Sequence, residues 1–176
     1  MAEKKLYDNL FKVIKANSGA LSENDGVFTE ILDLQIPRGY AARIRKVMFE
    51  VQVNADQADQ EYWRVLSGLV LDPDDEESTQ IPTFTVDHDV CCDFNFEFWR
   101  IEEDTTPNGI SGLLSLKQVV DFDETLDVVT VRNVRFNTII NGFAVGGSNL
   151  PQTRMTVYFT YEKVSADLYS KLLGIS

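Results

Sequence analysis

The sequence predicts an all-β fold: an antiparallel two-sheet jelly-roll sandwich of about eight strands, with short helices at the N- and C-termini. The first observation is the stretch 90–102, VCCDFNFEFWRIE, in which three phenylalanines alternate with Asp93, Asn95 and Glu97. Successive residues of a strand point to opposite faces, so this alternation places the three aromatic rings on one face of a strand.

The second observation is that six further segments show the same period of two, with no helical crossover between them. Parallel strands need such crossovers, so the sheets are expected to be antiparallel. Long loops between the strands favour a jelly roll over a meander of tight hairpins. An immunoglobulin-like sandwich is the alternative architecture, but its Cys-Trp-Cys pattern is absent.

Residues 1–17 carry a helical pattern instead. Leu6, Leu10, Phe11 and Ile14 fall on one face of the predicted helix, and the Asn-Ser-Gly run at 17–19 ends it. Three positions stay open for this segment: packed on its own domain, docked on a neighbouring subunit, or lying on a membrane surface.

From residue 27 onward the period is two. The predicted strands span 27–36, 40–54, 63–71, 90–102, 114–122, 125–140 and 154–164, with shorter ones at 83–86 and 143–145. Two irregularities are predicted within them. The pattern changes phase near Arg45 and Lys46, which indicates a bulge or bend, and it slips again around Asn133.

A short helix is predicted over 166–173, because Ser165 suits an N-cap and Gly174 suits a stop. It carries Leu168, Leu172 and Leu173. The chain therefore divides into an N-terminal amphipathic segment and connector (1–25), a jelly-roll sandwich (26–165) and a C-terminal helical tail (166–176).

The chain is strongly acidic: 16 Lys and Arg residues against 28 Asp and Glu give a net charge of −12. Such a balance repels nucleic-acid phosphates, and no Lys/Arg tract offers a local exception, so no direct nucleic-acid binding is expected. No apolar run is long enough to span a membrane, and the N-terminus lacks the pattern of a signal peptide.

No catalytic constellation stands out, so we predict a protein that is not an enzyme and carries no cofactor. His88 is the only histidine, whereas a metal-dependent cupin needs two or three. The acidic run 72–77 offers Asp72, Asp74 and Asp75 as a calcium candidate, because carboxylate oxygens suit a hard cation. It lacks the EF-hand pattern, and a plain surface loop is the preferred interpretation.

The two cysteines, Cys91 and Cys92, are adjacent in the central predicted strand. Neighbours in a strand point to opposite faces, so a bond between them would need a distorted backbone. Both are expected to be reduced and partly buried. The aromatics Trp99 and Tyr158 are candidates for stacking on a sugar, although packing or contacts between subunits are the preferred interpretation.

In layout the chain resembles single jelly-roll capsid proteins of icosahedral viruses. The resemblance is carried by the amphipathic N-terminal segment, eight strands with long loops, the stretch QIPRGYAARIRKVMFEVQV, and a last strand with its tail, RMTVYFTYEKVSADLYSKLLGIS. Residues 1–26 hold four Lys and no Arg, unlike the Arg-rich arms of small viruses with single-stranded genomes. The chain is therefore more similar to small major capsid proteins of tailless, membrane-containing archaeal and bacterial viruses.

This resemblance implies a self-assembling coat subunit of the virion, assembled in the host cytoplasm. The implied partners are copies of the chain in a capsomer, a second capsid protein and an internal membrane. Apolar residues of the two terminal elements are expected to tie neighbouring subunits together: Leu6, Leu10, Phe11, Ile14, Leu168, Leu172 and Leu173.

Two other functions share the same outline, because one fold hosts many functions. One is a carbohydrate-binding or cupin-like sandwich module without metal chemistry. The other is a phage tail or decoration protein, which assembles with a different symmetry.

Overall fold

The structure is a computed structural model that describes residues 11–21, 25–54, 62–71, 90–99, 113–122, 128–141 and 150–173. These residues form nine strands and one helix. The elements are β1 Lys12–Ala20, β2 Phe28–Leu32, β3 Tyr40–Asn54, β4 Tyr62–Val70, β5 Val90–Trp99, β6 Leu113–Asp121, β7 Val128–Thr130, β8 Val134–Asn141, β9 Gln152–Lys163 and α1 Ala166–Leu172. The short strands predicted at 83–86 and 143–145 lie outside the described residues.

The strands form two antiparallel sheets. Sheet A has the order β1-β9-β3-β6, with β7 also paired to β3, and sheet B has the order β2-β8-β4-β5. The pairings are nested and alternate between the sheets: β1 with β9, β2 with β8, β3 with β6, and β4 with β5. One long hairpin rolled into a sandwich has this pattern, which is the jelly-roll topology. The predicted fold class is confirmed.

The core lies between the two sheets and consists of the side chains that alternate inward. Sheet A contributes Val47, Phe49 and Val51 from β3 and apolar residues of β9 such as Val157, and sheet B contributes residues such as Phe136. Burying one such side chain contributes about 1.5–3 kcal/mol, whereas an exposed ion pair contributes about 0–1 kcal/mol. The inward rows of apolar residues therefore dominate the stability of this fold.

The aromatic face predicted for the stretch 90–102 points into this core. Phe94 is buried, and its ring stacks on Phe49 of the opposite sheet and on Phe96 of its own strand, with centroids 6.1 and 6.3 Å apart. The alternation therefore joins sheet B to sheet A through one aromatic cluster. The side chain of Phe98 lies outside the described part of the chain.

A group of three buried hydroxyls also bridges the sheets. Thr138 Oγ1 of β8 lies 2.8 Å from Ser67 Oγ of β4, and it donates to the carbonyl oxygen of Leu66 at 3.1 Å. Thr153 Oγ1 of β9, in sheet A, donates to Thr138 Oγ1 at 3.2 Å. Buried polar groups cost little when they are paired in this way, so the hydroxyl group is compatible with an otherwise apolar interior.

The predicted strand 125–140 is two strands, β7 and β8, separated by a corner at 131–133. β7 pairs with β3 in sheet A, and β8 pairs with β4 and β2 in sheet B. At the corner, Thr130 Oγ1 accepts from the Arg132 amide at 3.0 Å, and Asn133 Oδ1 accepts from the Leu34 amide at 3.0 Å. The predicted slip at Asn133 marks the point where the chain changes sheet.

Within the described residues, register shifts interrupt the pairing at three places, the first of them between Asn17 and Ala20 where β1 pairs with β9. The pairing of β3 with β9 shifts between Ile44 and Lys46, which confirms the irregularity predicted near Arg45. A third shift lies between β4 and β5: Cys92 pairs with Leu69 and Val90 with Val70, so Cys91 is the extra residue. This bulge corrects the expectation that Cys91 and Cys92 point to opposite faces, because both side chains pack against the core.

The N-terminal helix is a wrong prediction over residues 12–17. These residues belong to β1, which pairs antiparallel with β9 from Lys12 opposite Phe159 to Ala20 opposite Gln152. Ile14 and Ala16 face the core on alternate positions, a period-two pattern hidden inside an apolar run that also fits a helix. The open edge of β9 overrides the local preference, because it satisfies the backbone hydrogen bonds of a whole strand.

The C-terminal helix is confirmed. Ser165 caps α1, with its Oγ accepting from the Leu168 amide at 3.2 Å, and Lys171 pairs with Asp167 one turn earlier at 2.9 Å. Arg132 Nη2, at the β7–β8 corner, donates to the Leu173 carbonyl oxygen at 3.0 Å. This bond attaches the end of the helix to the sandwich.

Candidate functional site

The outward face of sheet A carries the most distinctive pattern of charge in the described residues. Inward residues such as Val47 and Val157 alternate with outward ones, and the outward set includes nine charged side chains. We call this set the charged face: Lys15, Arg43, Arg45, Lys46, Glu50, Lys117, Asp121, Arg154 and Glu162.

The charged face is held together by ion pairs that cross from strand to strand. Glu162 of β9 pairs with Arg43 at 2.8 Å and with Arg45 at 3.2 Å, and the bulge in β3 makes this second contact available. Lys46 pairs with Asp121 at 2.9 Å. All of these side chains are partly exposed, so each pair contributes little to stability and mainly fixes the arrangement of charge.

Further along the face, the two carboxylate oxygens of Glu50 lie 3.9 Å from Lys117 Nζ and 3.9 Å from Arg154 Nη1, respectively. The six cations and three carboxylates of the charged face leave it at +3. Because the whole chain carries −12, the rest of the chain carries −15. The fold thus collects positive charge on one face of a strongly acidic protein, a separation that the composition alone does not reveal.

Apolar side chains interrupt the charged face. Val13 on β1 is 49% exposed and Val119 on β6 is 44% exposed, with the half-buried Tyr158 and Met48 on the strands between them. Tyr158, a sequence candidate for sugar stacking or subunit contacts, is therefore placed among lysines and arginines. Its partner candidate Trp99 has its side chain outside the described residues.

Sheet B differs on its outward side, where the central strands are covered. Leu66 and Val70 of β4, and Arg135 and Asn137 of β8, alternate with core residues and are nevertheless buried. Sheet A also has buried positions on its outward side, at Ala41, Thr156 and Thr160, but the charged side chains around them are partly or fully exposed and are open to a partner.

The terminal residues predicted to tie subunits together have different environments. Phe11 is 63% exposed and Leu168 is 44% exposed, whereas Ile14 packs against the core of its own domain. Leu172 and Leu173 are half-buried beside the β7–β8 corner. Leu6 and Leu10 lie outside the described residues.

Two cavities lie near these surfaces. One cavity, of about 280 Å³, lies between the end of α1 and the β7–β8 corner. Its lining residues are Leu71, Val129, Thr130, Arg132, Lys171, Leu172 and Leu173. The other, of about 150 Å³, is polar and lies at one end of the charged face, lined by Asn17, Glu50, Gln52, Gln152, Thr153 and Arg154. Amide groups, one carboxylate and one guanidinium supply both donors and acceptors there.

The calcium candidate Asp72, Asp74 and Asp75 and the single histidine, His88, fall outside the described residues, so these predictions stand as predictions. Among the residues that the structure does describe, no group of three or more His, Cys, Asp or Glu side chains is arranged to hold a metal ion. Within the same part of the chain, no helix is long and apolar enough to cross a membrane.

No protein-family model matches the chain, and no curated protein matches it in sequence. Among solved structures it is similar to a chain of desmodium yellow mottle tymovirus, with 8% identity and a TM-score of 0.38, covering 89% of this chain and 88% of that one. A chain of naturally occurring empty particles of cowpea mosaic virus (the top component) has 8% identity and a TM-score of 0.31, covering 72% and 58%. The virus-like particle of extra small virus from the giant freshwater prawn Macrobrachium rosenbergii has 10% identity and a TM-score of 0.32, covering 85% and 78%.

Proposed function

We propose that the protein is a structural virion protein, a coat subunit that assembles with copies of itself. The observation that carries the proposal is the separation of charge: a face at +3 on sheet A, in a chain whose remainder is at −15. The positively charged face of one copy is complementary to the negatively charged surface of the next copy. Such complementarity directs association and sets its register.

The contact that this charge favours is heterologous: the charged face of one copy meets acidic surface of the next. Repeated around an axis, a heterologous contact closes into a ring, and one patch is then reused in every copy. Val13 and Val119 lie within the same face, so the contact buries apolar area as well as pairing charge. A rigid jelly roll supplies the fixed block that such repetition needs.

The terminal segments are the second element of the proposed assembly. Phe11 and Leu168 expose apolar side chains at the start of β1 and on α1, and we propose that they contact neighbouring copies together with Leu6, Leu10, Leu172 and Leu173. Ile14 has a different role in this scheme, because it packs on its own core and orients β1.

The more specific form of the proposal is a coat protein of a tailless, membrane-containing virus, located in the virion and assembled in the host cytoplasm. Its support is the N-terminal region, where residues 1–26 hold four Lys and no Arg. A second capsid protein and the internal membrane are the further partners in this scheme, and nucleic acid is not one of them.

The test is the mass of the purified chain by multi-angle light scattering across salt concentrations, followed by negative-stain imaging of any large species. Rings, capsomers or shells that dissociate as salt increases support the proposal, because salt screens exposed charges. A strict monomer under all conditions would refute the proposal. Nucleic acid that co-purifies with the assemblies would refute the statement that the coat does not bind the genome.

A second function, a carbohydrate-binding module, is favoured by one feature only. The polar cavity beside Asn17, Gln52 and Gln152 offers amide donors and acceptors of the kind that bind sugar hydroxyls. A glycan array distinguishes the two functions: saturable binding that Gln152→Ala abolishes, in a chain that stays monomeric, supports the module and excludes the coat subunit.

A further inference from the structure

The adjacent cysteines of β5 lie at a bulge in the pairing of β5 with β4. In the described residues β5 pairs with β4 alone, and the register skips Cys91 between the pairs Cys92–Leu69 and Val90–Val70. In an uninterrupted strand, one of two neighbouring side chains faces away from the core. Here both cysteines pack against it, and both are free and half-buried.

The two thiols are close enough to interact. A hydrogen bond with Cys91, together with burial, raises the pKa of the Cys92 thiol well above its ordinary value. Cys92 therefore holds its proton more tightly than an ordinary thiol, which assigns the first attack to Cys91 and the second to Cys92. A bond between neighbours requires a departure from regular strand geometry, and the bulge supplies one at this position.

We propose that Cys91 and Cys92 form a redox-active dithiol that closes to a disulfide between neighbouring residues when a small-molecule disulfide oxidises the protein. The thiolate of Cys91 attacks one sulfur of the reagent, releases the other as a thiolate, and forms a mixed disulfide. Cys92 then loses its proton to solvent and attacks the Cys91 sulfur, which expels the second reagent thiolate. The two protein thiols lose two electrons and two protons, and the reagent disulfide leaves as two thiols.

The second step follows from the first. Formation of the mixed disulfide consumes the Cys91 thiol, whose hydrogen bond is the largest cause of the raised pKa of Cys92, while burial continues to act on Cys92. Cys92 is also held beside the sulfur that it must attack. The proposal concerns a modification site and is independent of the assembly function.

The chain is well suited to a clean test, because Cys91 and Cys92 are its only cysteines. The purified, reduced full-length chain is incubated with excess oxidised glutathione, quenched with iodoacetamide and analysed by intact mass. The expected product has lost two hydrogens and carries neither glutathione nor an alkyl group. In Cys92→Ser the second step is blocked, so this variant should retain one glutathione on Cys91.

The same reaction in concentrated urea shows how much of the rate of disulfide closure is due to the fold and how much to the adjacency of the two cysteines in the sequence. We expect closure at least tenfold faster in the folded chain, because the bulge holds both thiols on one side of the strand. Equal rates in urea, a wild-type chain that retains its glutathione adduct, or disulfide-linked dimers as the main product would each overturn the proposal.

Discussion

The Tyr161 hydroxyl of β9 donates a hydrogen bond to the carbonyl oxygen of Leu34 at 2.7 Å, which links sheet A to the segment that follows β2. The Gln35 carbonyl oxygen lies 3.1 Å from the same hydroxyl, and Gln35 has a positive φ of 51°. This anchor explains why Leu34 is buried beyond the end of β2. Two side chains hold the segment in place of repeated strand pairing: the Tyr161 hydroxyl bonds the Leu34 carbonyl oxygen, and Asn133 Oδ1 accepts from the Leu34 amide.

Replacing Tyr161 with Phe should lower the free energy of unfolding by about 1–2 kcal/mol, because the carbonyl groups of Leu34 and Gln35 lose their donor. Urea unfolding of the two chains measures the difference. The ring itself remains in Phe, so its edge contact with Phe159, at 5.6 Å between centroids, is kept. Unchanged stability would show that the hydroxyl is not an anchor.

The stability that Tyr161 contributes should depend on pH. Burial and, to a smaller degree, Asp33 raise the pKa of Tyr161 above its ordinary 10.0. A group whose pKa is higher in the folded state contributes stability below its unfolded pKa, and that contribution is lost as pH rises through the folded value. The difference in unfolding free energy between wild type and Tyr161→Phe should therefore be constant below pH 10.0 and shrink above it. A difference that grows with pH would contradict this sign.

The same substitution, Thr to Val, should have opposite effects on stability at two buried positions. Thr138 of β8 lies in the interior of the sandwich, and Thr156 lies on the outward side of β9. Thr138→Val should cost about 1–3 kcal/mol, because Ser67 and Thr153 lose the hydroxyl that joins them. Thr156 is also buried, but within the described residues its Oγ1 has no hydrogen-bond partner. Thr156→Val should be neutral or stabilise by up to about 1 kcal/mol. Thermal and urea unfolding of both variants provide the comparison.

Reversing one charge on the charged face should weaken assembly without unfolding the subunit. Lys15 is exposed on β1 opposite Thr156, and Lys15→Glu lowers the positive charge of the face. We expect roughly three- to tenfold more protein to be needed for assembly, equivalent to about 0.6–1.4 kcal/mol per contact. The matched control is Lys163→Glu, an exposed cation on the other side of the same sheet. Equal effects of the two variants would exclude the charged face as the contact.

Two serine substitutions distinguish the role of Phe11 from that of Ile14. Phe11→Ser removes an exposed ring, so the unfolding free energy should change by less than about 0.5 kcal/mol, while assembly decreases if Phe11 contacts a neighbour. Ile14→Ser removes a side chain that packs on the core and should cost about 1–2 kcal/mol. Denaturation and light scattering on both variants test this division. A Phe11→Ser chain that assembles like wild type would remove Phe11 from the proposed contact.

The charged face, which we propose as the assembly contact, could be predicted only in part from the sequence. Its strand residues follow from the period of two, so their alternation between faces was predictable. The collection of six cations on one face was not, because Lys15, Lys117 and Arg154 are separated along the chain and become neighbours only through the pairing of β1, β9, β3 and β6.

The sequence by itself determined the fold class, the bulge near Arg45, the irregularity at Asn133 and the capped C-terminal helix, because each depends on residues close together in the chain. Tertiary structure decided the rest. Residues 12–20 form a strand because β9 offers a free edge, and 125–140 is divided because its two halves pair with different sheets. The bulge in β5 turns Cys91 and Cys92 to the same side, since the register of β4 against β5 is set by contacts across the sheet and not by the neighbours of Cys91 in the chain.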